Sequence, residues 1–203
     1  MAIAKKLLSL ALAIVGLVLL VTGLWFATHL GTSGDATFRW TASGTSPVVL
    51  QPSLINRVDE PLTVKVTPAA GDSVWTGIGA PSDVDAAIGT TPATRLTRVA
   101  LRPWSVLARA TGSGTPASVA DAEIWRTRST TSGAVTIAVD QRTAPESIVV
   151  RGEKSPLQSV TVTWRHRTWF YQSLVLAFVG LLLAAVGSGA LVAGLRSGRG
   201  ERS

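Results

Sequence analysis

The stretch LLSLALAIVGLVLLVTGLWFAT, residues 7–28, contains 22 consecutive residues without a charge. As a helix it would be about 33 Å long, which is enough to cross the hydrocarbon core of a bilayer. A second uncharged run, QSLVLAFVGLLLAAVGSGALVAGL, covers residues 172–195. The sequence therefore predicts two transmembrane α-helices that bracket everything between them.

The first run could instead be a cleaved signal peptide, because Lys5 and Lys6 precede it. However, its apolar stretch is longer than a signal-peptide core, and the bulky sequence from Trp25 to His29 lacks the small residues needed for cleavage. We interpret this run as an uncleaved anchor in a lipid bilayer.

Aromatic residues stand at the loop-side end of both predicted spans. Trp25 and Phe26 close the first span, and Trp169, Phe170 and Tyr171 open the second. Aromatic side chains concentrate at the headgroup level of membranes. These five residues are therefore predicted to lie at the membrane interface.

Basic residues near the spans predict the orientation of the chain. Five stand on the terminal side and three on the loop side, namely Lys5, Lys6, Arg196, Arg199 and Arg202 against Arg39, Arg165 and Arg167. Because a loop of about 140 residues translocates largely regardless of its charge, the short basic ends decide the orientation. We expect residues 1–6 and the basic tail 196–203 to be cytoplasmic and residues 29–171 to be extracytoplasmic, in a multi-pass plasma-membrane protein.

The region between the spans has the length of one domain. The formal net charge of the chain is +7, but the tails supply +4 of it, which leaves +3 for this region. So small a net charge does not indicate a basic surface for nucleic acid, and we expect no nucleic-acid partner. The chain has no cysteine, so the domain must be held by its hydrophobic core rather than by disulfides.

Short segments rich in β-branched and aromatic residues recur between Gly, Pro and Ser clusters, which predicts an all-β sandwich-like domain. The clearest is Pro61–Thr67, where apolar and polar residues alternate. Weaker candidates are 38–41, 73–79, 94–101 and 124–128. The last third is predicted to form a meander of 134–140, 147–151 and 157–164. One short helix is expected over Ser82–Ile88, with Ser82 as its N-cap and Gly89 as its end.

Several of these segments resemble parts of other membrane proteins. VWTGIG (residues 74–79) followed by DVD (83–85), and SIVV (147–150) leading through VTVTW (160–164) to the second span, resemble a loose group of uncharacterised two-span membrane proteins of high-GC Gram-positive (actinobacterial) bacteria. The resemblance implies a plasma-membrane location, short cytoplasmic ends and an extracytoplasmic β-rich domain. It implies no activity and no catalytic residues.

Few residues stand in patterns that predict catalysis or metal binding. GDSV (residues 71–74) is similar to the serine block of one esterase and lipase family, but its serine would need a histidine base. Both histidines, His29 and His166, adjoin the predicted spans, so we expect no enzyme and no zinc site. Asp83 and Asp85 are interpreted as helix-capping residues rather than as cation ligands. We therefore expect no catalytic residue, no cofactor and no metal.

Five tryptophans lie between the membrane-interface residues: Trp40, Trp75, Trp104, Trp125 and Trp164. Core packing explains Trp75 and Trp164, which fall on predicted core-facing positions. Exposed rings beside arginines would instead bind glycans, and the candidate ligand face is Trp104, Trp125, Arg102 and Arg126. The sequence thus favours a non-catalytic interaction or accessory module for another cell-envelope protein. The alternative is a module that binds a cell-wall glycan or anionic polymer.

Small residues recur every seven positions in both spans: Ser9, Gly16 and Gly23, then Ser173, Gly180, Gly187 and Gly194. Seven residues are nearly two helical turns, so each set lines one face, and small residues permit close packing between membrane helices. We expect an antiparallel pair within one chain, with Gly16 near Gly187, Gly23 near Gly180 and Ser9 near Gly194. Alternatively, the stripes face another protein, or the spacing arises by chance.

Overall fold

A computed structural model describes the backbone of residues 2–115, 118–139 and 145–200. Side chains are described for 3–115, 118–139 and 145–194. The predicted cytoplasmic arginines therefore lie outside the described side chains, and Asp140 lies outside the described residues. The chain divides into two compact units, a β-rich unit, Thr37–Arg165, and a helical unit formed by the residues on either side of it.

The helical unit contains two long helices, α1 (Ala2–Leu30) and α4 (Thr168–Gly200). Both extend beyond the apolar runs that predict them. Within them, Ile3–Leu30 and Thr168–Gly194 have mean hydropathies of 2.7 and 2.4. By length and composition, each of these two segments could cross a membrane.

Large apolar side chains cover the outer surface of the helical unit. Leu8 is 69% exposed on α1, and Phe178 is 60% exposed on α4. Of the 21 large apolar side chains exposed among the described residues, 19 lie on these two helices. So extensive an apolar surface is unusual on a soluble protein and is typical of a surface that faces lipid or a partner.

Ten strands are described: β1 (Asp35–Thr41), β2 (Val48–Leu50), β3 (Leu62–Pro68), β4 (Ser73–Gly79), β5 (Ala93–Leu101), β6 (Trp104–Thr111), β7 (Trp125–Ser132), β8 (Val135–Val139), β9 (Ser147–Gly152) and β10 (Leu157–Arg165). The helices among them are α2 (Pro52–Ile55), α3 (Pro81–Ile88) and a 3-10 turn, Val119–Asp121. One sheet has the order β1-β10-β3-β8, and the other has the order β6-β5-β2-β9-β4-β7.

The two sheets share an apolar core. Phe38 on β1 stacks on Trp104 on β6, with ring centroids 4.3 Å apart, which joins the two sheets. Val64 on β3 and its register partner Val162 on β10 are fully buried. The central strand β2 is buried along its whole length, and it runs parallel to β5. The result is the two-sheet arrangement that the sequence predicts.

A helical layer covers the other face of the six-stranded sheet. Val84 and Ile88 of α3 pack with Val49 of β2 and Val149 of β9, and Val119 of the 3-10 turn joins this cluster. Neighbouring residues on a strand point to opposite faces, so Val48 and Leu50 point away from this layer, toward the sandwich core. Strands β2 and β9 are therefore covered on both sides, which explains their continuous apolar sequences.

The clearest predicted strand is confirmed. Segment Pro61–Thr67 corresponds to β3, where Leu62, Val64 and Val66 are buried while Lys65 is exposed. The alternation of apolar and polar residues thus assigns the core face of this strand correctly.

The predicted meander of the last third is wrong. Strands β8 and β10 lie in the four-stranded sheet on either side of β3, whereas β9 lies in the six-stranded sheet between β2 and β4. The chain therefore changes sheet at each of these connections. The physical reason is the run Ser147–Val150, which is buried at every position and belongs in a sheet that is covered on both faces.

The predicted helix is present, but its capping is wrong. Helix α3 begins at Pro81, and its N-cap is Ala80, which makes no side-chain capping bond. Ser82 lies inside the first turn. Proline is favoured at the first helical position because its fixed φ suits the helix, so α3 starts at Pro81 and Ser82 falls too late to be its N-cap. Gly89 ends the helix with a φ of 54°, as expected for a residue without a Cβ.

Candidate functional site

The structure does not bring the four residues of the candidate ligand face together. Trp104 lies on β6 and Trp125 on β7, which are the two edge strands of the six-stranded sheet. Five interstrand steps separate them, a distance of roughly 24 Å. The two rings therefore cannot stack on one sugar.

Trp104 takes part in the packing between the two sheets. Its indole Nε1 donates a hydrogen bond of 2.7 Å to the carbonyl oxygen of Thr37. Its ring lies nearly parallel to that of Phe38, at an interplanar angle of 13°, and Phe38 in turn meets the edge of Trp164. Arg102 is exposed in the turn before β6. One face and the N–H of Trp104 are thus used by the fold.

Trp125 packs against the helical layer. Its Nε1 donates a hydrogen bond of 2.8 Å to the carbonyl oxygen of Val119, and its ring meets Trp75 edge to face at 5.1 Å. Gly77 makes this contact possible, because a Cβ there would lie 2.5 Å from the Trp75 ring and 2.6 Å from the Trp125 ring. This tryptophan pair is a structural feature of the sheet.

Arg126, the last residue of the candidate face, forms an ion pair with Glu146. Its Nη2 donates a hydrogen bond of 2.6 Å to Oε2 of Glu146, and its Nε donates to Oε1. The side-chain hydrogen bonds and the charge of Glu146 raise the pKa of Arg126. The guanidinium is therefore engaged within the domain.

Asp72 is a buried carboxylate that connects three turns. It accepts hydrogen bonds from the amides of Ser73 at 2.7 Å, Lys154 at 3.1 Å and Ser155 at 2.8 Å, and from the Ser155 hydroxyl at 2.8 Å. Its own backbone carbonyl accepts from the Gly133 amide at 3.0 Å. The β3–β4, β7–β8 and β9–β10 connections are therefore tied together at one residue.

These hydrogen bonds keep Asp72 ionised. Burial alone would raise the pKa of the carboxyl. The hydrogen bonds that it accepts have the larger combined effect and lower the pKa to about 2; they come from the Ser73 amide, the Ser155 hydroxyl and amide, and the Lys154 amide. The GDSV segment thus contributes a structural carboxylate, a role that sequence reasoning missed. The signal for it was an Asp before a strand, in a turn that also contains glycine.

Helices α1 and α4 pack together backbone to backbone. A Cβ built on Gly23 would lie 2.5 Å from the Ala177 nitrogen and 2.6 Å from the Ser173 carbonyl oxygen. A Cβ built on Gly187 would lie 2.5 Å from the Ala13 nitrogen and 2.7 Å from the Ser9 carbonyl oxygen. The spaces beside these glycines are therefore filled by the backbone of the other helix.

The register of this pair differs from the expected one. Gly16 lies against Gly180 and Ala184 rather than against Gly187, and the nearest atom to a Cβ on Gly194 is Cε of Lys6, at 3.9 Å. The shift is about five residues, because Gly16 lies opposite the middle of 180–184 instead of opposite Gly187. In the same way, Gly23 lies against Ser173 and Ala177 rather than against Gly180, and Ser9 lies against Gly187 rather than against Gly194. The seven-residue spacing identifies the contact face of each helix, but the axial register depends on how the ridges of one helix fit the grooves of the other.

The five residues predicted to lie at a membrane interface stand at one end of the helix pair. Trp25 and Phe26 contact each other edge to face near the end of α1, with ring centroids 4.9 Å apart. Phe170 and Tyr171 do the same at the start of α4, and Trp169 packs on His166 at 5.2 Å. The contact between Gly23 and Ser173 brings these two helix ends side by side.

A cationic face lies on the β5–β6 hairpin. Arg95, Arg98 and Arg109 were considered from the sequence as part of a wider basic face, with solvated arginines as the simpler interpretation. In the antiparallel register Arg95 pairs with Arg109, and after a bulge Arg98 pairs with Leu107. Directly opposite residues share a face of the sheet, so these four side chains lie on one face. It is the face that carries α3, because Asp85 of α3 forms an ion pair with Arg95. The pairing of these arginines across the hairpin could not be predicted from the sequence, because β6 itself was not predicted.

Metal binding finds no support among the described residues, where no three His, Asp or Glu side chains lie close enough to share an ion. Asp85, one of the two acidic residues considered as cation ligands, is bound to Arg95 instead. No protein-family model, no curated protein and no solved structure matches this chain.

Proposed function

We propose that this protein is a membrane-anchored, non-catalytic accessory module. Its two apolar helices span the plasma membrane as an antiparallel pair, and its β-rich unit binds another envelope protein on the outer side. The observation that carries the proposal is the helical unit itself, whose interface is packed backbone to backbone while its exterior is apolar. Such packing at glycine is how helices associate within lipid.

The sequence supports the proposed orientation. Lys5 and Lys6 stand at the start of α1, and the tail after α4 carries Arg196, Arg199 and Arg202. Basic residues near short ends favour the cytoplasmic side. The aromatic residues gather at the opposite end of the helix pair, where an outer headgroup layer would meet them.

The accessory role is supported by how the polar groups of the β-rich unit are used. Asp72 accepts four hydrogen bonds from turns and is ionised at neutral pH. The indole N–H groups of Trp104 and Trp125 bond to backbone carbonyls. These groups stabilise a rigid scaffold, and rigid scaffolds suit recognition of a partner.

Affinity purification from gently solubilised membranes tests this proposal. We expect the protein to retain an envelope membrane protein at a fixed ratio in more than one mild detergent. A variant in which the β-rich unit is replaced by an unrelated domain on the same two helices should lose that partner. Purification of the intact protein alone, in every detergent tried, would contradict the accessory role.

The second candidate is a module that binds a cell-wall glycan or anionic polymer. The exposed guanidiniums of Arg98 and Arg109 favour the anionic polymer. The glycan has less support, because Trp104 and Trp125 lie on opposite edge strands. Sedimentation with purified cell walls tests this candidate, and we expect the protein to stay in the supernatant.

A further inference from the structure

The cationic face of the β5–β6 hairpin carries uncompensated charge. Like charges at directly opposite positions of an antiparallel pair are destabilising, and Arg95 faces Arg109 in this way. Asp85 neutralises Arg95, whose side chain is only 16% exposed. Within the described part of the chain, the exposed Arg98 and Arg109 form no ion pair. Two incoming carboxylates would therefore reduce the repulsion between Arg98 and Arg109, and each would gain a charge-assisted contact.

The same hairpin carries exposed apolar surface. Among the described residues of the β-rich unit, the exposed large hydrophobic side chains are Leu101, at 47%, and Leu107, at 37%. Leu107 lies on the cationic face, directly opposite Arg98 and two residues from Arg109. An apolar centre beside arginines is the composition of a protein-binding surface.

Strand β6 is also an open edge of the sheet. It is eight residues long, and its neighbour on one side is β5. Every second residue of an edge strand directs its N–H and C=O groups away from the sheet, where another strand can pair with them. The edge thus offers backbone hydrogen bonds next to the cationic face.

From these three features we infer that β6 docks an extended acidic segment of the partner protein, which adds to the six-stranded sheet as a seventh strand. A carboxylate of that segment faces Arg109, a second reaches Arg98, and an apolar side chain between them packs on Leu107. A second copy of this chain fits less well, because its own β6 would bring another Arg109 instead of a carboxylate. This inference rests on the proposed accessory function, and it specifies that the partner binds through an extended acidic segment.

A peptide tests the docking edge directly. The probe is an eight-residue peptide in which one strand face reads glutamate, valine, glutamate, valine and the other face is threonine. It is added to the full-length protein in lipid nanodiscs at low salt. We expect saturable binding and slowed hydrogen–deuterium exchange at the amides of residues 104–111. The same peptide with lysine in place of glutamate should not bind. Neither should the glutamate peptide with its central amides N-methylated, because it keeps the charge but cannot pair as a strand.

Matched arginine variants locate the site. Arg109→Gln and Arg98→Gln should each weaken binding of the glutamate peptide by about tenfold, the effect of losing one charge-assisted hydrogen bond. Arg128→Gln removes an exposed arginine from β7, the opposite edge strand, and should leave the affinity unchanged. Equal weakening by Arg128→Gln, exchange protection outside β6, or no binding at all would overturn the inference.

Two further outcomes separate this inference from its alternatives. If the N-methylated peptide and inorganic polyphosphate bind as tightly as the unmodified peptide, charge alone is recognised, and the anionic-polymer function replaces the docking strand. If the Arg98→Gln, Arg109→Gln double variant still retains the native partner, β6 is not the docking edge, while the accessory function stands. Loss of the partner in that variant, with an unchanged circular dichroism spectrum, supports the docking edge.

Discussion

A Cβ atom built on Gly16 would lie 2.7 Å from the carbonyl oxygen of Gly180, and one built on Gly180 would lie 2.7 Å from the carbonyl oxygen of Gly16. The two helices therefore meet at a distance that no side chain permits at these positions. Lipid tails are as apolar as leucine, so close packing and not hydrophobic burial drives association of helices in a membrane. This reciprocal contact makes α1 and α4 one structural unit instead of two separate helices.

Substitution of Gly16 by alanine should therefore weaken the helix pair. We expect Gly16→Ala to destabilise it by about 1 to 3 kcal/mol, because the added methyl overpacks a filled interface. Gly189→Ala is the matched control, since nothing lies within 4 Å of a Cβ at that glycine. In the control, the better helix propensity of alanine should leave stability unchanged or slightly higher. Unfolding by SDS in mixed micelles, followed by circular dichroism, measures both. Equal effects of the two substitutions would contradict the packing described here.

Neutralising Asp72 should destabilise the β-rich unit. Asp72→Asn replaces an ionised acceptor of four hydrogen bonds with an amide, so the urea midpoint of unfolding should fall. Ser155→Ala removes one hydroxyl donor and should lower the midpoint less. Asp59→Asn changes an exposed carboxylate of the same charge and should have little effect. If Asp59→Asn were as damaging as Asp72→Asn, net charge and not the three-turn connection would be responsible.

The contribution of Asp72 should also depend on pH. Its pKa is lowered from 3.8 to about 2 by folding, so its ionised form stabilises the folded state. For a group with a lowered pKa, that stabilisation is fully present above the unfolded value and is lost as the pH falls through the folded value. The difference in stability between the natural protein and Asp72→Asn should thus be constant from neutral pH down to about pH 5, and it should shrink between about pH 4 and pH 2. A difference that stayed constant down to pH 2 would contradict this assignment.

Gly77 should be intolerant of substitution for as long as Trp125 is present. Gly77→Ala places a methyl group against both indole rings and should cost about 1 to 3 kcal/mol. In a Trp125→Leu background, the same substitution should cost less, because one of the two rings is gone. A double-mutant cycle measured by urea unfolding gives the coupling between the two positions. Strict additivity of the two substitutions would contradict the contact.

Period-two alternation was sufficient to predict β3, because one face of that strand is buried and the other is polar. The segment Ser73–Gly79 was predicted with the bounds that β4 has, although it packs on both faces. The apolar composition of α1 and α4 predicted two long helices. The local sequence predicts a strand or helix correctly where the element is buried on one face or along its whole length, because its apolar residues then follow a regular pattern.

The rest depends on contacts between distant parts of the chain. Strand β2 is three residues long, too short to show a period, and it forms because β5 and β9 enclose it. Strand β6 shows no alternation, since its second half is exposed on both faces. The residues of the candidate ligand face do not lie together, because Trp104 and Trp125 belong to opposite edge strands of one sheet. The order of strands in a sheet is set by contacts between distant segments and does not show in the local sequence. The cationic face depends on the register of β5 and β6, which a single sequence does not encode locally.

Cysteine labelling tests the central claim, that an antiparallel helix pair in the membrane holds the β-rich unit outside the cell. The chain has no cysteine, so single variants report single sites. Asn56→Cys lies at an exposed position of the β-rich unit, and Ser203→Cys ends the basic tail. With a membrane-impermeant maleimide, we predict that Asn56→Cys is labelled in intact spheroplasts and that Ser203→Cys is labelled only after lysis. Labelling of Ser203→Cys in intact spheroplasts, with Asn56→Cys protected until lysis, would contradict the account.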